Sequence, residues 1–389
     1  MTSEGEPTAV VGTIRLLHAV HDLSFGGLQR VVLEISGHPE AAGLDTHVLS
    51  FGPAALTIQV PVHRAPAMTR ASMLYPRALV QLIRQLRPDV VHAHSGVWYK
   101  VAVAARLAGV RRLVYTEHGR KHPDTMLDRV LGHLAARLTY RVVAVSGSLA
   151  DHLRGALRIS AEKIVVIPNG VDTSAFRPRP RPQALAAALG IHPGAAIIGS
   201  VGRLDPVKRY DLLLRAFAET ATCIRQAGMQ SPSLVLVGDG EGRDALAQLA
   251  AGLGVADQVR FVGWQRDVTR YYALFDVFAL SSVSEGTPVS LLEAMASAVP
   301  VVVTDVGGMP DVLGDALRDQ LVPSLDGAAL ARKLSGLLLN RELRHRLGAL
   351  GRARIVENYS LERMVGAYLD LYSVERRARA HADMLVCAE

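Results

Sequence analysis

The stretch NGVDTSAFRPRPRPQ, residues 169–183, divides the chain and decides its domain organisation. Proline alternates with arginine in its second half, and proline is excluded from helix interiors and central strands because it lacks a backbone N–H. Each residue before a proline is also biased toward extended conformations. The stretch is therefore predicted to be a linker. Two domains suit a chain of 389 residues, because one hydrophobic core seldom grows beyond about 250–300 residues.

Short apolar strands alternate with helix-length segments on both sides of this linker. Uninterrupted apolar strands are typical of parallel sheets that are buried on both faces. The predicted strands are TIRLLHAV, THVLSF, DVVHAH, RLVYTE, RVVAVS and KIVVIP before the linker, and AIIGSVG, SLVLVGDG, QVRFVG, DVFALS and VPVVVTDVGG after it. The pattern predicts two α/β, Rossmann-like domains, over residues 1–177 and 184–361, with a closing amphipathic basic helix at about 362–389 that packs back onto the first domain. Ligands bind at the carboxyl ends of such strands, which here predicts a cleft between the domains.

The composition indicates a globular cytoplasmic protein. The acidic start MTSEGEPTAVVG does not resemble a signal peptide, and no run of about 18 apolar residues predicts a membrane span. Cys223 and Cys387 are too few for a disulfide framework and lack the CxxC spacing of a zinc site.

The net charge of +7 leaves two interpretations open. It is either a solvated basic surface or an attraction to anionic ligands or an anionic membrane surface. Nucleic acid is not an expected partner, because the aromatic content is low and no basic-aromatic motif is present.

The segment SVGRLDPVKRYDLLLRAF, residues 200–217, follows a strand and enters a predicted helix with Pro206 in its first turn. Backbone N–H groups at the start of a helix favour anions. Arg203 and Lys208 flank this turn and could clamp a diphosphate. Taken alone, both could equally be surface cations.

The segment SEGTPVSLLEAMA, residues 284–296, contains Glu285 and Glu293 on either side of a proline. On one continuous helix, residues eight positions apart are separated by about 12 Å of rise and rotated by roughly 80°. That geometry does not suit two carboxylates acting on one bond. Pro288 predicts a helix that starts at about 287 or 288, which leaves Glu285 in the loop and Glu293 on the helix, with separate tasks.

The first half offers weaker signals. Gly26 and Gly27 lie between the first strand and the first helix, but they do not form a G-x-G-x-x-G pattern. His118, in YTEHGR, ends a strand and could hydrogen-bond a polar substrate. His92 and His94 share a strand face at the spacing of a metal pair. No nearby carboxylate or cysteine completes such a site, so a loop-ordering role is favoured for them and no metal is expected.

Other catalytic signatures are missing from the sequence. A D-x-D pair for a divalent ion, a G-x-S-x-G serine elbow and a Walker A loop are all absent. Hydrolase and NTPase functions therefore have no motif to support them.

Taken in order, the segments GGLQRVV, TEHG, IPNGVD, VGRLDPVK, LVGDGEGRDAL, FVG and SEGTPVSLLEAMASAVPVVVTDVGG resemble the nucleotide-sugar glycosyltransferases of family 4. The resemblance runs from about residue 15 to residue 372 and is more specific in the second half. It implies a GT-B fold, two Rossmann-like domains whose parallel sheets face an interdomain cleft. It also implies a retaining, metal-independent transfer from a UDP- or GDP-linked sugar, with no cofactor.

The resemblance also implies roles for individual residues. Arg203 and Lys208 match the pair that binds the donor diphosphate. Glu285 matches the loop glutamate that faces the donor sugar, and His118 matches a histidine near the reacting sugar. Four residues are implied to act in catalysis: His118, Arg203, Lys208 and Glu285. The remaining implied donor contacts are the glycine loop at Gly26 and Gly27, the base region at Val262 and Gly263, the helix start at Thr287, Val289 and Ser290, and the ribose-binding Glu293.

Two positions depart from the family pattern. Pro288 stands where the family often has glycine, which removes one backbone N–H near the donor sugar. Ala298 also stands where glycine is frequent, and this change is expected to affect packing only.

The acceptor remains open at the level of sequence. A lipid-linked saccharide in bacterial cell-surface or glycolipid synthesis would place the protein peripherally at the inner face of the plasma membrane, in contact with anionic lipid. A soluble natural product or cyclitol is the alternative acceptor. A nucleotide-sugar 2-epimerase and a non-catalytic sugar-nucleotide sensor are the remaining alternatives to a transferase.

Overall fold

The computed structural model describes residues 13–23, 27–41, 43–53, 58–67, 75–119 and 124–386, with the side chains of 27, 28 and 374–386 outside this description. Within it, two parallel sheets of seven and six strands each carry helices on their faces. Both sheets have the order of a Rossmann-like fold, in which a crossover returns to the middle of the sheet. The predicted GT-B fold class is confirmed.

The first sheet has the strand order β3-β2-β1-β4-β5-β6-β7. Its strands are β1 (Ile14–Val20), β2 (Leu44–Ser50), β3 (Val62–Arg64), β4 (Val90–His94), β5 (Arg112–Glu117), β6 (Arg141–Ala144) and β7 (Ile164–Val166). Its helices are α1 (Gly27–Gly37), α2 (Arg77–Leu86), α3 (Trp98–Leu107), α4 (Met126–Leu138) and α5 (Gly147–Gly155).

The second sheet has the order β10-β9-β8-β11-β12-β13. After α6 (Gln183–Ala188), its strands are β8 (Ile197–Val201), β9 (Ser233–Val237), β10 (Val259–Gly263), β11 (Val277–Leu280), β12 (Val301–Thr304) and β13 (Leu321–Val322). The helices that follow α6 are α7 (Tyr210–Gln226), α8 (Arg243–Gly252), α9 (Thr269–Tyr272), α10 (Val289–Ala296), α11 (Met309–Leu313), α12 (Gly327–Leu339), α13 (Arg341–Asn358) and α14 (Leu361–Val386).

All eleven strands predicted from apolar runs are present, and each begins within two residues of its predicted first residue. Two of the four edge strands, β3 and β13, were not predicted. They contain three and two residues, too few to show any periodicity. Position at a sheet edge, which only the assembled fold defines, gives them their pairing partners β2 and β12.

The last helix returns to the first sheet. In α14, Met364, Val365, Tyr368 and Tyr372 are buried against residues of β1, β4 and β5 such as Leu16. The chain therefore crosses the cleft twice, once through the segment after β7 and once at the start of α14.

The proline-rich segment makes packing contacts and is not a freely flexible linker. Val171 forms a β-bridge with Ser360, at the start of α14. Phe176 is buried in the core of the second domain, with its ring 5.7 Å from that of Tyr272. Only the Arg-Pro repeat that follows is largely exposed. Contacts of this kind limit the freedom of the two domains to separate.

Two local predictions need correction. Pro206 does not lie in the first turn of α7; it opens a short 3₁₀ turn, Pro206–Lys208, and Arg209 then adopts a left-handed conformation (φ 49°) before α7 begins. Ala298 was expected to affect packing only, but it is also left-handed (φ 58°). It follows the C-terminus of α10, where Val299 N donates to Ala294 O at 3.0 Å, the position at which glycine is favoured.

Candidate functional site

The two sheets meet at the carboxyl ends of β5 and β11. The loop after β11 brings Gly286 so close to the first domain that a Cβ atom there would lie 2.3 Å from the carbonyl oxygen of His118. Thr287 donates from its hydroxyl to the Val145 carbonyl, and Asn169 Nδ2 donates to the Thr287 carbonyl at 2.7 Å. The buried Thr287 is thus held by both the first domain and the linker, and it fixes the loop that carries Glu285.

Lys208 and Glu285 form an ion pair across this loop. Lys208 Nζ lies 2.5 Å from Glu285 Oε1, which also accepts a hydrogen bond from Ser282 Oγ at 2.7 Å. The side chains are 18% and 12% exposed, so the pair is partly shielded from solvent. A cation and a carboxylate are therefore present together where the diphosphate and the donor sugar were predicted to bind.

Arg203 lies at the same strand end but is more exposed. Its Nε is 3.0 Å from Asp205 Oδ2, and 55% of its side chain is accessible. Asp205 also caps the 3₁₀ turn by accepting from Lys208 N. Asp205 therefore orients both predicted phosphate-binding residues, although sequence reasoning assigned it no role.

The N-terminus of α10 has no side-chain cap. Pro288 is the N-cap residue, and Val289 and Ser290, both half-buried, begin the helix. Their backbone N–H groups precede the first intrahelical hydrogen bonds, which Leu291 and Leu292 make to Pro288 O. Free N–H groups at a helix start can donate hydrogen bonds to an anion.

Glu293 lies one turn further along α10 and is almost completely buried, with 3% exposure. Tyr272 donates from its hydroxyl to Glu293 Oε2 at 2.6 Å, and Arg30 of α1 donates to Oε1. Burial raises the pKa of the Glu293 carboxyl, and the charge of Arg30 opposes this rise. The predicted ribose-binding carboxylate is therefore held by a cation from the other domain.

The predicted base-binding residues lie at the end of β10. Gly263 has φ 76°, and the pairing of β10 with β9 shifts register between Phe261 and Gly263. Its carbonyl accepts from Gly238 N at 2.9 Å, while Val262 is half-buried. Gly27 is the first residue of α1, and Gly26 lies outside the described residues.

A chain of histidine rings extends from His118 into the first sheet. His118 Nε2 lies 2.8 Å from His94 Nδ1, and His94 Nε2 lies 3.0 Å from His18 Nδ1. His92 stands beside this chain, with its nitrogens 2.7 Å from Tyr372 Oη and 2.7 Å from Thr116 Oγ1. His92 and His94 lie inside the sheet and contact other side chains, so the favoured loop-ordering role is replaced by a network within the strands.

The third member of this cluster was missed. His18 pairs in register with His92 because β1 and β4 are neighbours, and ligand atoms of His18, His92 and His94 lie within 4.8 Å of one another. Hydrogen bonds between protein atoms account for every ring nitrogen of the three except His18 Nε2. The signal that could have identified His18 is the presence of a histidine within the largely apolar strand TIRLLHAV.

Burial keeps these histidines neutral. It lowers the pKa of His18 to about 3, with a further contribution from His118, and it lowers the pKa of His118 to about 3. The pKa values of His92 and His94 are also lowered well below the usual range by burial and by the neighbouring rings. Neutral imidazoles each carry one N–H and one lone pair.

Beside His118, a buried carboxylate supports the end of β5. Glu117 accepts hydrogen bonds from Tyr115 Oη at 2.8 Å and from Ser95 Oγ at 2.9 Å. Ser95 Oγ in turn accepts from His118 N at 3.0 Å. Arg30, Tyr272 and Glu117 are the other site residues that sequence reasoning missed. Arg30 meets its partner Glu293 from 263 positions away. Tyr272 belongs to none of the motifs in the sequence, and Glu117 lies within TEHG, where only His118 was assigned a role.

Across the described ranges, no helix is both long and apolar enough to cross a bilayer. The side chains of α14 beyond residue 373, where the basic segment was predicted, lie outside the description.

Each half of the chain matches a model of a known protein family. The family model described as Glycosyltransferase Family 4 matches residues 25–175, and that described as Glycosyl transferases group 1 matches residues 183–354. D-inositol 3-phosphate glycosyltransferase of Actinosynnema mirum is 33% identical over 312 residues, which cover 74% of this chain and 73% of that protein. UDP-Gal:alpha-D-GlcNAc-diphosphoundecaprenol alpha-1,3-galactosyltransferase of Escherichia coli is 29% identical over 307 residues, 76% of this chain and 78% of that protein.

Among solved structures, Anabaena Alr3699/HepE in complex with UDP and glucose has the same fold, with a TM-score of 0.80 at 22% identity. The match covers 93% of this chain and all of that one. WaaG, a glycosyltransferase involved in lipopolysaccharide biosynthesis, matches with a TM-score of 0.74 at 18% identity, over 92% of this chain and 99% of that one.

Proposed function

The chain belongs to glycosyltransferase family 4, and from this premise we propose that it transfers a sugar from a UDP-linked donor to an acceptor hydroxyl with retention of configuration. The observation that carries the proposal is the convergence of Lys208, Glu285 and the uncapped start of α10 beside His118. A cation and free N–H groups suit a diphosphate, and a carboxylate suits sugar hydroxyls.

The leaving group determines the chemistry that the site must perform. Cleavage of the bond between the anomeric carbon and the phosphate oxygen develops negative charge on the diphosphate. Lys208, Arg203 and the N–H groups of Val289 and Ser290 would stabilise that charge, which is the largest contribution in many transfer reactions. Because these groups supply the positive charge, the proposed reaction needs no metal, and activity should persist in a chelator.

The Lys208–Glu285 pair would exchange partners when the donor binds. The diphosphate competes with Glu285 for Lys208, and the released carboxylate oxygen can then accept from a hydroxyl of the donor sugar. Glu293 would hold the ribose hydroxyls further along the same helix. The acceptor oxygen then bonds to the anomeric carbon on the face that the phosphate leaves, and its proton passes to the departing phosphate oxygen.

A thermal-shift series with UDP-, GDP-, ADP- and dTDP-sugars tests the donor. A ligand that binds only the folded state raises Tm according to its concentration and affinity, so UDP-sugars should give the largest shift. A larger shift with GDP-sugars would overturn the choice of UDP, which rests on the name of the relative from Escherichia coli.

Turnover is tested by Lys208→Met, which keeps the aliphatic length of the side chain and removes the charge. Loss of one group that stabilises a developing anion costs about 100- to 1,000-fold in kcat. Lys333→Met is the matched control, because it removes the charge of another lysine that forms an ion pair. Lys333 lies on α12, with its Nζ 2.7 Å from Asp319. Equal turnover of the two folded variants would contradict the proposed clamp.

Two outcomes of the same assay would favour the other functions. Formation of a free epimer of the donor without any acceptor would indicate a 2-epimerase. Donor binding without hydrolysis or transfer, across a broad acceptor screen, would indicate a sensor.

For the acceptor, we propose a lipid-linked saccharide at an anionic membrane. The supporting observation is an apolar stripe on the surface helix α4, where Met126 and Leu127 are 84% and 64% exposed and Val130 and Leu134 follow at helical spacing. Arg129 and Arg137 are exposed on the same helix. Apolar residues beside basic ones suit the interface of an anionic bilayer.

Flotation with vesicles of phosphatidylglycerol and phosphatidylethanolamine tests this contact. Leu127→Ser should reduce binding, whereas Leu350→Ser, which alters an exposed leucine of α13, should not. Equal flotation of both variants would count against α4 as the contact surface.

A cyclitol phosphate is the second candidate acceptor, favoured by the name of the relative that is 33% identical. Efficient transfer to inositol 3-phosphate without vesicles, together with no vesicle binding, would support it over the lipid-linked acceptor.

A further inference from the structure

The histidine chain behind His118 restricts where its protons can lie. His18, His94 and His118 are joined by two hydrogen bonds, His18 Nδ1 to His94 Nε2 and His94 Nδ1 to His118 Nε2. Burial keeps all three rings neutral, so each has a single N–H. His94 can therefore donate to one neighbour only and must accept from the other.

Only two arrangements satisfy both hydrogen bonds. In one, all three rings carry their proton on Nδ1: His18 donates to His94, which donates to His118. In the other, all three carry it on Nε2, and the direction of donation is reversed. A mixture of tautomers leaves at least one pair of nitrogens facing each other with two lone pairs or two protons, which is repulsive at 2.8–3.0 Å.

The two terminal ring nitrogens of this row of histidines have no hydrogen-bond partner among the described residues. These are His18 Nε2 and His118 Nδ1, and both atoms are buried. His118 Nδ1 is the nitrogen left for a ligand, because Nε2 is bonded to His94. It presents an N–H in the first arrangement and a lone pair in the second.

We propose that His94 and His18 are positioning residues that hold His118 in one shared tautomer, so that the direction of the hydrogen bond between a sugar hydroxyl and His118 Nδ1 is coupled to the tautomer of all three rings. This inference rests on the proposed function, in which the donor binds beside His118, and it adds that His118 contacts the sugar. His94 matters most, since it bonds to both neighbours and fixes the orientation of the His118 ring as well as its proton.

The direct test is the ¹⁵N spectrum of the full chain labelled at histidine, at neutral pH. The shifts of Nδ1 and Nε2 distinguish the two tautomers, and His18→Gln, His94→Asn and His118→Gln assign the three rings. We expect one pattern in all three rings, and a UDP-sugar that changes the His118 signals should change those of His94 and His18 as well. Different tautomers among the three rings, an imidazolium, or one bound metal ion per chain would each overturn the proposal.

Variants at position 94 connect the spectrum to turnover. His94→Phe should give mixed tautomers at His118 and lower kcat about tenfold, the effect of about 1.4 kcal/mol on the barrier, with KM for the donor changed less than about twofold. His94→Asn, whose amide can reach the position of Nδ1, should restore most of kcat. Unchanged His118 signals in both variants would contradict the role of His94.

His92→Asn is the matched control, because His92 is buried on the same strand face but bonds to Tyr372 and Thr116. It should lower Tm without altering the tautomer of His118. If His94→Phe does not fold, the wild-type spectrum and His94→Asn still decide the question. If the wild-type chain transfers no sugar, the proposed function fails while the spectrum remains interpretable. Mixed tautomers in an active enzyme would refute this inference alone.

Discussion

Acidification should destabilise the first domain through its buried histidines. In the unfolded chain a histidine binds a proton below about pH 6.5, whereas His18 and His118 have folded pKa values of about 3. Between these values the unfolded state binds more protons, so stability falls as the pH falls. The stability is regained above about pH 6.5, where these histidines are neutral in both the folded and the unfolded chain.

The expected size follows from the same two pKa values. Each of these histidines reduces the unfolding free energy by about 2 kcal/mol at pH 5 relative to pH 7.5, and the two together by about 4 kcal/mol. Between pH 4 and 6 the slope is about 2.7 kcal/mol per pH unit. His92 and His94, whose pKa values are lowered as well, act in the same direction. Such a change is a large part of the 5–15 kcal/mol typical of a domain.

Urea unfolding measured by tryptophan fluorescence at pH values from 4.5 to 8 checks this prediction. The chain has two tryptophans, and Trp98 is buried in the first domain with its ring 3.8 Å from Tyr115. In a Trp264→Phe background the signal therefore reports on the first domain alone.

His18→Gln in that background separates the histidines from titrating carboxylates. The variant lacks one histidine that binds a proton only in the unfolded state. Its free energy of unfolding should therefore depend on pH less steeply, by about 1.4 kcal/mol per pH unit between pH 4 and 6. Parallel curves for the parent and the variant would refute the assignment of a buried, neutral His18.

Two further predictions concern the cleft, and a third concerns the C-terminal end of α10. Glu293→Gln should raise KM for the donor about tenfold or more in steady-state assays, because the ribose loses an ionised acceptor and Arg30 loses its partner; an unchanged KM would contradict the ribose role. Gly286→Ala should reduce kcat/KM and increase the radius of gyration measured by X-ray scattering, because its Cβ would lie 2.3 Å from the His118 carbonyl and push the domains apart; wild-type values for both would show that the contact is dispensable. Ala298→Gly should raise the unfolding free energy by about 1 kcal/mol in urea titrations, because glycine adopts φ 58° without a steric penalty, and a loss of stability would refute this account.

Periodicity allowed the two sheets to be predicted because a strand buried on both faces must be apolar throughout its length, and this pattern is local. The separation of Glu285 from Glu293 was equally local, since proline is favoured at the start of a helix and disfavoured in its interior. Lys208 and Arg203 were recognisable because a strand end, a turn and a basic residue occur together within a few positions.

Local patterns of residues were therefore enough to predict the fold class, the presence of two parallel sheets and the charged residue types at the strand ends. The tertiary structure alone decided which of them meet: Arg30 with Glu293, 263 positions apart, and His18 with His94, 76 positions apart. Such contacts depend on strand order and on closure of the two domains. The physical reason is that a side chain's neighbours across a parallel sheet or a cleft are set by topology, which no local pattern of residues encodes.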